Sequence, residues 1–502
     1  MVSPSTFLPF FLFIFLHFTS SFSNFAPPSL LLRPEEKSSI DDSGQNRLYR
    51  TNYFTQILDH FNFNPQSYHT FQQRYLINDT YWGGAAENAP IFVYTGNEGN
   101  IEWFAQNTGL ILESAPRFRA LVVFIEHRFY GKSIPFGGDE DVANRNSSTL
   151  GFLSSTQALA DYATLITDLK INLTAVDSPV VVFGGSYGGM LAAWFRLKYP
   201  HISIGAVASS APILHFENIT SPYAFNNVIT QDFKSESQNC YTVIKDSWQQ
   251  IEIAANKPGG PEMLRNSFKF CKQADSETIK SWLYTAILYT AMTDYPTAGN
   301  FLNPLPAYPV KQMCKAIDDP TAGNDTFAKL YGAANVYYNY SGTATCFDLD
   351  DDSDPHDLGD WTWQACTEMI LPTGGNTKDS IFPASKWSYG DRLSFCKRLF
   401  GVEPRRTWIT THFGGHKIER VLKRFGSNII FFNGLRDPWS AGGVLKNISS
   451  SIIAIVAKEG AHHVDLRFST PEDPKWLKDV RKQQLNIIQD WLSQYYQDLA
   501  QN

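Results

Sequence analysis

Lysine and arginine never gather into a run in this 502-residue chain, and the formal charge is −7. A protein that grips nucleic acid needs a basic patch or arm, so that partner is excluded. Cysteine is scarce: there are six, none before Cys240 or after Cys396, and none at zinc-ligand spacing. A structural zinc site is therefore not expected, and an even set in an oxidising compartment reads as three disulfides, with 15 pairings open. Calcium has no loop of the EF-hand kind. Asp348, Asp350 and Asp352 imitate its start, but Ser353 and Gly359 stand where Gly and Glu are required, so the segment reads as a solvated acidic loop. No internal repeat is visible, no stretch beyond the N-terminus is apolar for long enough to span a bilayer, and the ending QDLAQN carries no anchor signal. Neither a metal nor a cofactor is expected.

With 43% apolar residues the chain can bury a large core. It opens MVSPSTFLPFFLFIFLHFTSSF, a short apolar block followed by small residues, which reads as a signal peptide over residues 1–24, although Lys and Arg are missing from its start. Residues 25–50 are polar and irregular and read as a propeptide or linker. Asn78, Asn146, Asn172, Asn218, Asn324, Asn339 and Asn447 each begin N-x-S/T and are glycosylation acceptors wherever they are exposed. These features agree on the secretory pathway, with a lysosome, a vacuole or the exterior as destination. Oligomeric state is left open, a homodimer being one expectation.

From Pro90 the chain alternates β-rich runs with helical patterns. APIFVYTG, ALVVFIEH, SPVVVFGG and IGAVASSAP read as strands, and FLSSTQALADYATLITDLK as a helix with Leu159, Tyr162, Ala163 and Ile166 on one face. This predicts an α/β class built on a largely parallel sheet over 51–213. Residues 214–407 change to longer helical stretches and hold every cysteine, so they read as an inserted, mostly helical lobe. The β/α pattern resumes over 408–502 with SNIIFFNG, SSIIAIVA and a last helix starting at Asp473-Pro474.

One stretch carries chemistry. Ser186 sits between two glycine pairs in VVVFGGSYGGM, directly after an apolar run and before the helical pattern of MLAAWFRLKYP. Strand, tight turn and helix around G-x-S-x-G make a nucleophile elbow. A serine hydroxyl needs a base, and the base needs an orienting carboxylate. Asp437 follows NIIFFNG and His462 follows IIAIVAKEG, so serine, acid and histidine fall in the loops beyond the equivalent ends of three predicted strands. His463 is a rival to its neighbour, and Arg467 is a supporting candidate. The Tyr187 N–H is the expected first oxyanion donor, and the loop TGNEG offers Asn97, Glu98 and Gly99 for the second. The four apolar side chains that flank these positions, Tyr187, Met190, Leu371 and Trp439, are candidates to line a substrate pocket.

LDHFNF, FVYTGNEGNIEWF, EHRFYGKSIPFG, GGSYGGMLAAWFRLKYP, ACTEMI, NGLRDPWS and EGAHHVDLR together resemble the prolyl carboxypeptidase and dipeptidyl peptidase II group of serine peptidases, from about Tyr53 to the C-terminal helix. The resemblance implies an α/β-hydrolase fold with a helical, disulfide-stapled cap, and hydrolysis of peptide bonds after proline, without a cofactor. It maps nucleophile, acid and histidine onto Ser186, Asp437 and His462, and implies the pairs Cys240–Cys314, Cys271–Cys346 and Cys366–Cys396. Two activities share this triad. A Pro-X carboxypeptidase holds a free carboxylate just beyond the cut, for which Arg436, His463 and Arg467 are placed; a dipeptidyl peptidase holds a free ammonium two residues before it, for which Glu98 or Glu368 would serve. Overall resemblance favours the carboxypeptidase. A non-catalytic hydrolase-fold binding protein is a further alternative, but no triad member is missing; a lipase or general esterase is another on the triad alone, but nothing marks an apolar lid.

Overall fold

The computed structural model describes residues 48–349, 361–376 and 378–501. The expected signal peptide, nearly all of the 25–50 segment, and Asp350, Asp352, Ser353 and Gly359 lie outside the described residues.

Eight strands form one sheet: β1 (Arg50–Ile57), β2 (Thr70–Asn78), β3 (Ile91–Thr95), β4 (Leu121–Ile125), β5 (Val180–Gly185), β6 (Ser203–Ser209), β7 (Ile429–Gly434) and β8 (Ile452–Ala457). Their order across the sheet is β1-β2-β4-β3-β5-β6-β7-β8. From β4 to β8 neighbours run parallel, while β2 meets both β1 and β4 antiparallel. The runs expected as parallel strands are buried along β3, β4, β5 and β7, as a sheet covered on both faces demands. The hairpin β1–β2 is an addition to the sequence reading. Polar and exposed residues dominate β1, which is why it carries no continuous apolar signature.

Helices fill both faces. Ser155–Asn172 begins at an N-cap in which the Ser154 side chain accepts from the Gln157 N–H, and it buries Leu159, Tyr162, Ala163 and Ile166. Lys475–Leu499 follows Pro474 and buries Leu477, Val480, Ile488 and Trp491. Between β6 and β7 the chain leaves the sheet for a set of helices from Ala224–Glu236 to Ile418–Phe425. This is an α/β-hydrolase with a helical cap. One apolar core runs from the sheet into the cap without a break.

All three disulfides lie in that insertion and pair Cys240 with Cys314, Cys271 with Cys346 and Cys366 with Cys396. Asn146, Asn172, Asn218, Asn324 and Asn447 are exposed and Asn78 is half-buried. Asn339 departs from the expectation of a glycan site. It is buried, and its amide is spent on the backbone N–H and carbonyl of Ala344. No helix among the described residues is long and apolar enough to cross a membrane.

Candidate active site

β5 ends at Gly185 and the helix Tyr187–Lys198 starts one residue after Ser186. To turn so sharply Ser186 takes φ 60° and ψ −127°, a conformation costly for any side chain and tolerated where surroundings over-determine it. Its N–H donates to Ser209 O at 2.9 Å, and its carbonyl accepts from Met190 N at 3.0 Å. The flanking glycines are explained by contact. A Cβ on Gly184 would lie 2.0 Å from Gly188 O, and one on Gly188 would lie 2.7 Å from Thr95 O. Strand, helix and the β3 loop thus press together around one hydroxyl.

Asp437 follows β7 and His462 follows β8. Asp437 is fully buried; one carboxylate oxygen accepts the Trp439 N–H at 3.0 Å and the other pairs with His462 Nδ1 at 2.8 Å. That bond leaves Nε2 of His462 as the free ring nitrogen. Both Nε2 and Ser186 Oγ are buried and lack a hydrogen-bond partner among the described residues. Catalytic hydrogen bonds between serine and imidazole are often long or poorly aligned in a free enzyme and tighten around substrate. The cap holds the histidine backbone: His462 N donates to Met292 O at 3.0 Å, and the Tyr295 hydroxyl donates to His462 O at 3.1 Å.

His463 sits differently. Its ring lies 4.4 Å from that of His462 and edge-on to Phe301, and a Cβ on Gly185 would meet it at 3.0 Å. Its N–H donates to Ser210 Oγ at 2.8 Å. Burial, with the neighbouring His462 and Arg467, pushes its pKa well below the usual histidine range, so it stays neutral. Arg467 lays its guanidinium 4.6 Å from the centre of the Tyr295 ring.

Two of the charges expected to be available for a substrate terminus are committed elsewhere. Arg436 pairs with Asp294 at 2.5 Å and Glu236 at 3.1 Å. Glu368 accepts the Ser155 N–H at 2.7 Å and the Ser155 hydroxyl at 2.8 Å, pinning the cap to the start of a core helix. Their partners are distant in sequence, so local reading could not reveal them.

The Tyr187 N–H opens its helix, where no intrahelical carbonyl can take it. The Tyr187 side chain, however, leads away into the interior: its hydroxyl contacts His127 Nε2 at 3.1 Å and accepts from Gln364 Nε2 at 2.8 Å, while its ring packs 5.2 Å from Trp361. Met190, Leu371 and Trp439 are buried, with Trp439 edge-on to Phe225 and His215. Sequence reasoning assigned no role to His127, Gln364 or Asp465. Asp465, two residues past the histidine pair, is buried and accepts from Ser209 Oγ at 2.5 Å and Gln484 Nε2 at 2.7 Å, which ties the histidine loop to β6 and to the last helix. The quoted runs EHRFYG and EGAHHVDLR contain two of these residues, but their contacts are long-range.

Residues 56–484 match the family Peptidase_S28, serine carboxypeptidase S28. The chain belongs to the serine carboxypeptidase S28 family. This S28 peptidase is 40% identical over 470 residues to "Lysosomal Pro-X carboxypeptidase" of Homo sapiens, covering 92% of each chain. It is 42% identical over 456 residues to the Bos taurus protein of that name, covering 89% of each. It is 29% identical over 482 residues to "Thymus-specific serine protease" of Homo sapiens, covering 89% of this chain and 88% of that one.

The buried acids of the S28 peptidase set a pH dependence. Burial raises Asp294 and Asp465 to about 6, and Glu98 to about 8. A raised acid contributes stability that is complete below its unfolded pKa and lost as pH climbs through its folded one, about 3 kcal/mol for each shift of about two units. Burial lowers His127 and His215 to about 4, so their contribution is present above about 6.5 and lost as pH falls toward 4. The melting temperature is therefore expected to rise by a few degrees from pH 8 to about pH 6.5, where Glu98 alone titrates, and to change little from there to about pH 4.5, where the histidines offset the acids. Differential scanning calorimetry across that range checks it; a maximum at pH 8 contradicts the assignment.

Proposed function

We propose that this peptidase removes one residue from the C-terminus of peptides whose next-to-last residue is proline, through an acyl-enzyme on Ser186. His462 takes the serine proton at Nε2 and later returns it to the leaving amine, while Asp437 holds the ring in the required tautomer and stabilises the imidazolium. The observation that carries this reading is the 2.8 Å bond from His462 Nδ1 to a fully buried Asp437, set beside a serine held at φ 60°. The developing oxyanion takes the Tyr187 N–H and one amide of the Asn97–Gly99 loop.

A proline ring is compact, apolar and without an N–H, so it suits a slot of Met190, Leu371 and the indole of Trp439. Relatives with 40% and 42% identity named Pro-X carboxypeptidase support that preference. They also support work in a lysosome-like compartment or elsewhere in the secretory pathway. The rival reading as a dipeptidyl peptidase loses one acidic partner for a substrate ammonium, since Glu368 is spent on Ser155.

One assay separates the two. An N-blocked peptide ending in Pro-Phe is expected to release phenylalanine, while a free-amine Xaa-Pro amide stays intact. Cleavage of the second and not the first reverses the proposal.

A further inference from the structure

The loop between β3 and the helix Ile101–Asn107 carries a carboxyl that the mechanism above does not use. Glu98 is 0% exposed. Its Oε2 accepts from Asn97 Nδ2 at 3.0 Å, and its Oε1 has no hydrogen-bond partner among the described residues. The orientation of the Asn97 amide is fixed from the other side. The Tyr94 hydroxyl, which Gly185 and Thr108 also approach, donates to Asn97 Oδ1 at 3.1 Å. Asn97 must therefore turn its NH2 toward Glu98.

An ionised carboxylate in that position would be buried with only two neutral donors, the Asn97 amide and its own backbone N–H, and no cation beside it among the described residues, an arrangement proteins avoid by keeping the proton. Since Oε2 is already an acceptor, the proton belongs on Oε1. Burial indeed pushes the Glu98 pKa up to about 8, opposed by its own backbone N–H and Asn97; the titratable group coupled to it is the Tyr94 phenol on β3. The result is a buried O–H donor with no acceptor among the described residues.

Its place is as telling as its state. The loop is built onto the frame of the nucleophile: the Thr95 hydroxyl contacts Gly188 O at 2.8 Å and Phe183 O at 3.0 Å, and Asn97 Oδ1 packs 2.9 Å from where a Gly188 Cβ would stand. An acceptor of opposite polarity brought to this spot completes it. A substrate ammonium would not, because it needs an ionised partner.

We propose that Glu98 is a specificity-determining residue: its Oε1–H donates a hydrogen bond to the α-carboxylate of the residue that leaves from the C-terminus. This rests on the carboxypeptidase reading, which it deepens by naming the group that recognises the free terminus. A carboxyl–carboxylate bond is short and charge-assisted, and it exists only while Glu98 keeps its proton.

The test compares N-blocked Ala-Pro-Phe acid with the same peptide as its C-terminal amide, on wild type, Glu98→Ala and Glu98→Gln. A fluorophosphonate titration counts correctly folded active sites. Glu98→Ala is expected to lose about 10- to 100-fold in kcat/KM on the acid, mainly through KM, and to change by less than about 3-fold on the amide. Glu98→Gln keeps a donor without the titration. It should retain most activity on the acid and lack the decline in kcat/KM that wild type shows as pH rises through about 8. Equal losses on acid and amide in Glu98→Ala, or a Gln variant with the unaltered wild-type pH profile, overturn the proposal alone. A wild type that leaves both peptides intact yet cleaves a free-amine Xaa-Pro amide overturns the carboxypeptidase reading and the proposal with it.

Discussion

Ser186→Ala protein is expected to take up no fluorophosphonate and to turn over peptide at least about 10⁴-fold more slowly than wild type. The substitution removes one oxygen from a residue whose backbone is held by Ser209 O and Met190 N, and neither bond involves the side chain. Alanine does not relieve the positive φ, so the elbow persists and the loss is chemical, not a loss of fold. Mass spectrometry of the labelled peptide reads the first result and steady-state kinetics the second. Labelling that survives in Ser186→Ala would remove the nucleophile assignment.

His462→Ala is expected to match that loss, at about 10⁴-fold or more, while His463→Ala retains measurable turnover. The two rings stand 4.4 Å apart, but His462 is the one that bonds Asp437. A base must cycle through its protonated form, which Asp437 stabilises for His462, whereas burial and Arg467 oppose protonation of His463. His463→Ala removes the ring that packs on Gly185 and Phe301, so it should loosen the elbow and raise KM more than it lowers kcat. Pre-steady-state burst measurements on both variants separate acylation from release. Retained acylation in His462→Ala with none in His463→Ala would exchange their roles.

The parts of this protein that sequence makes legible are those in which local pattern and tertiary role coincide. β3, β4, β5 and β7 are buried on both faces, so each appears as a short unbroken apolar run. Ser186, Asp437 and His462 follow the ends of three strands, so finding the strands finds the residues. β1 fails that test because an edge strand keeps polar and exposed side chains, and the start of the sheet is hidden with it. Charge roles were the least legible. Arg436 stands beside the catalytic loop and invites assignment to a substrate carboxylate, yet its partner Asp294 is 142 residues away. Glu368 meets Ser155 across 213 residues. Glu98 shows the converse. Its type and position were visible, but its burial and its unpartnered oxygen, which decide between ammonium and carboxylate, exist only once Tyr94, Gly185 and Asn97 have been brought around it.

The long excursion between β6 and β7 also orders events in time. During synthesis Ser186 leaves the ribosome early, with β5 and its helix, while Asp437 and His462 follow only after the whole cap has been made. The backbone of His462 then depends on Met292 and Tyr295, which lie in that cap. A chain arrested anywhere before β8 therefore carries a serine without a base, and even a complete chain has no fixed histidine until the cap has docked. Under the proposed triad, the order of the segments alone delays hydrolysis at Ser186 until the cap has been made and docked.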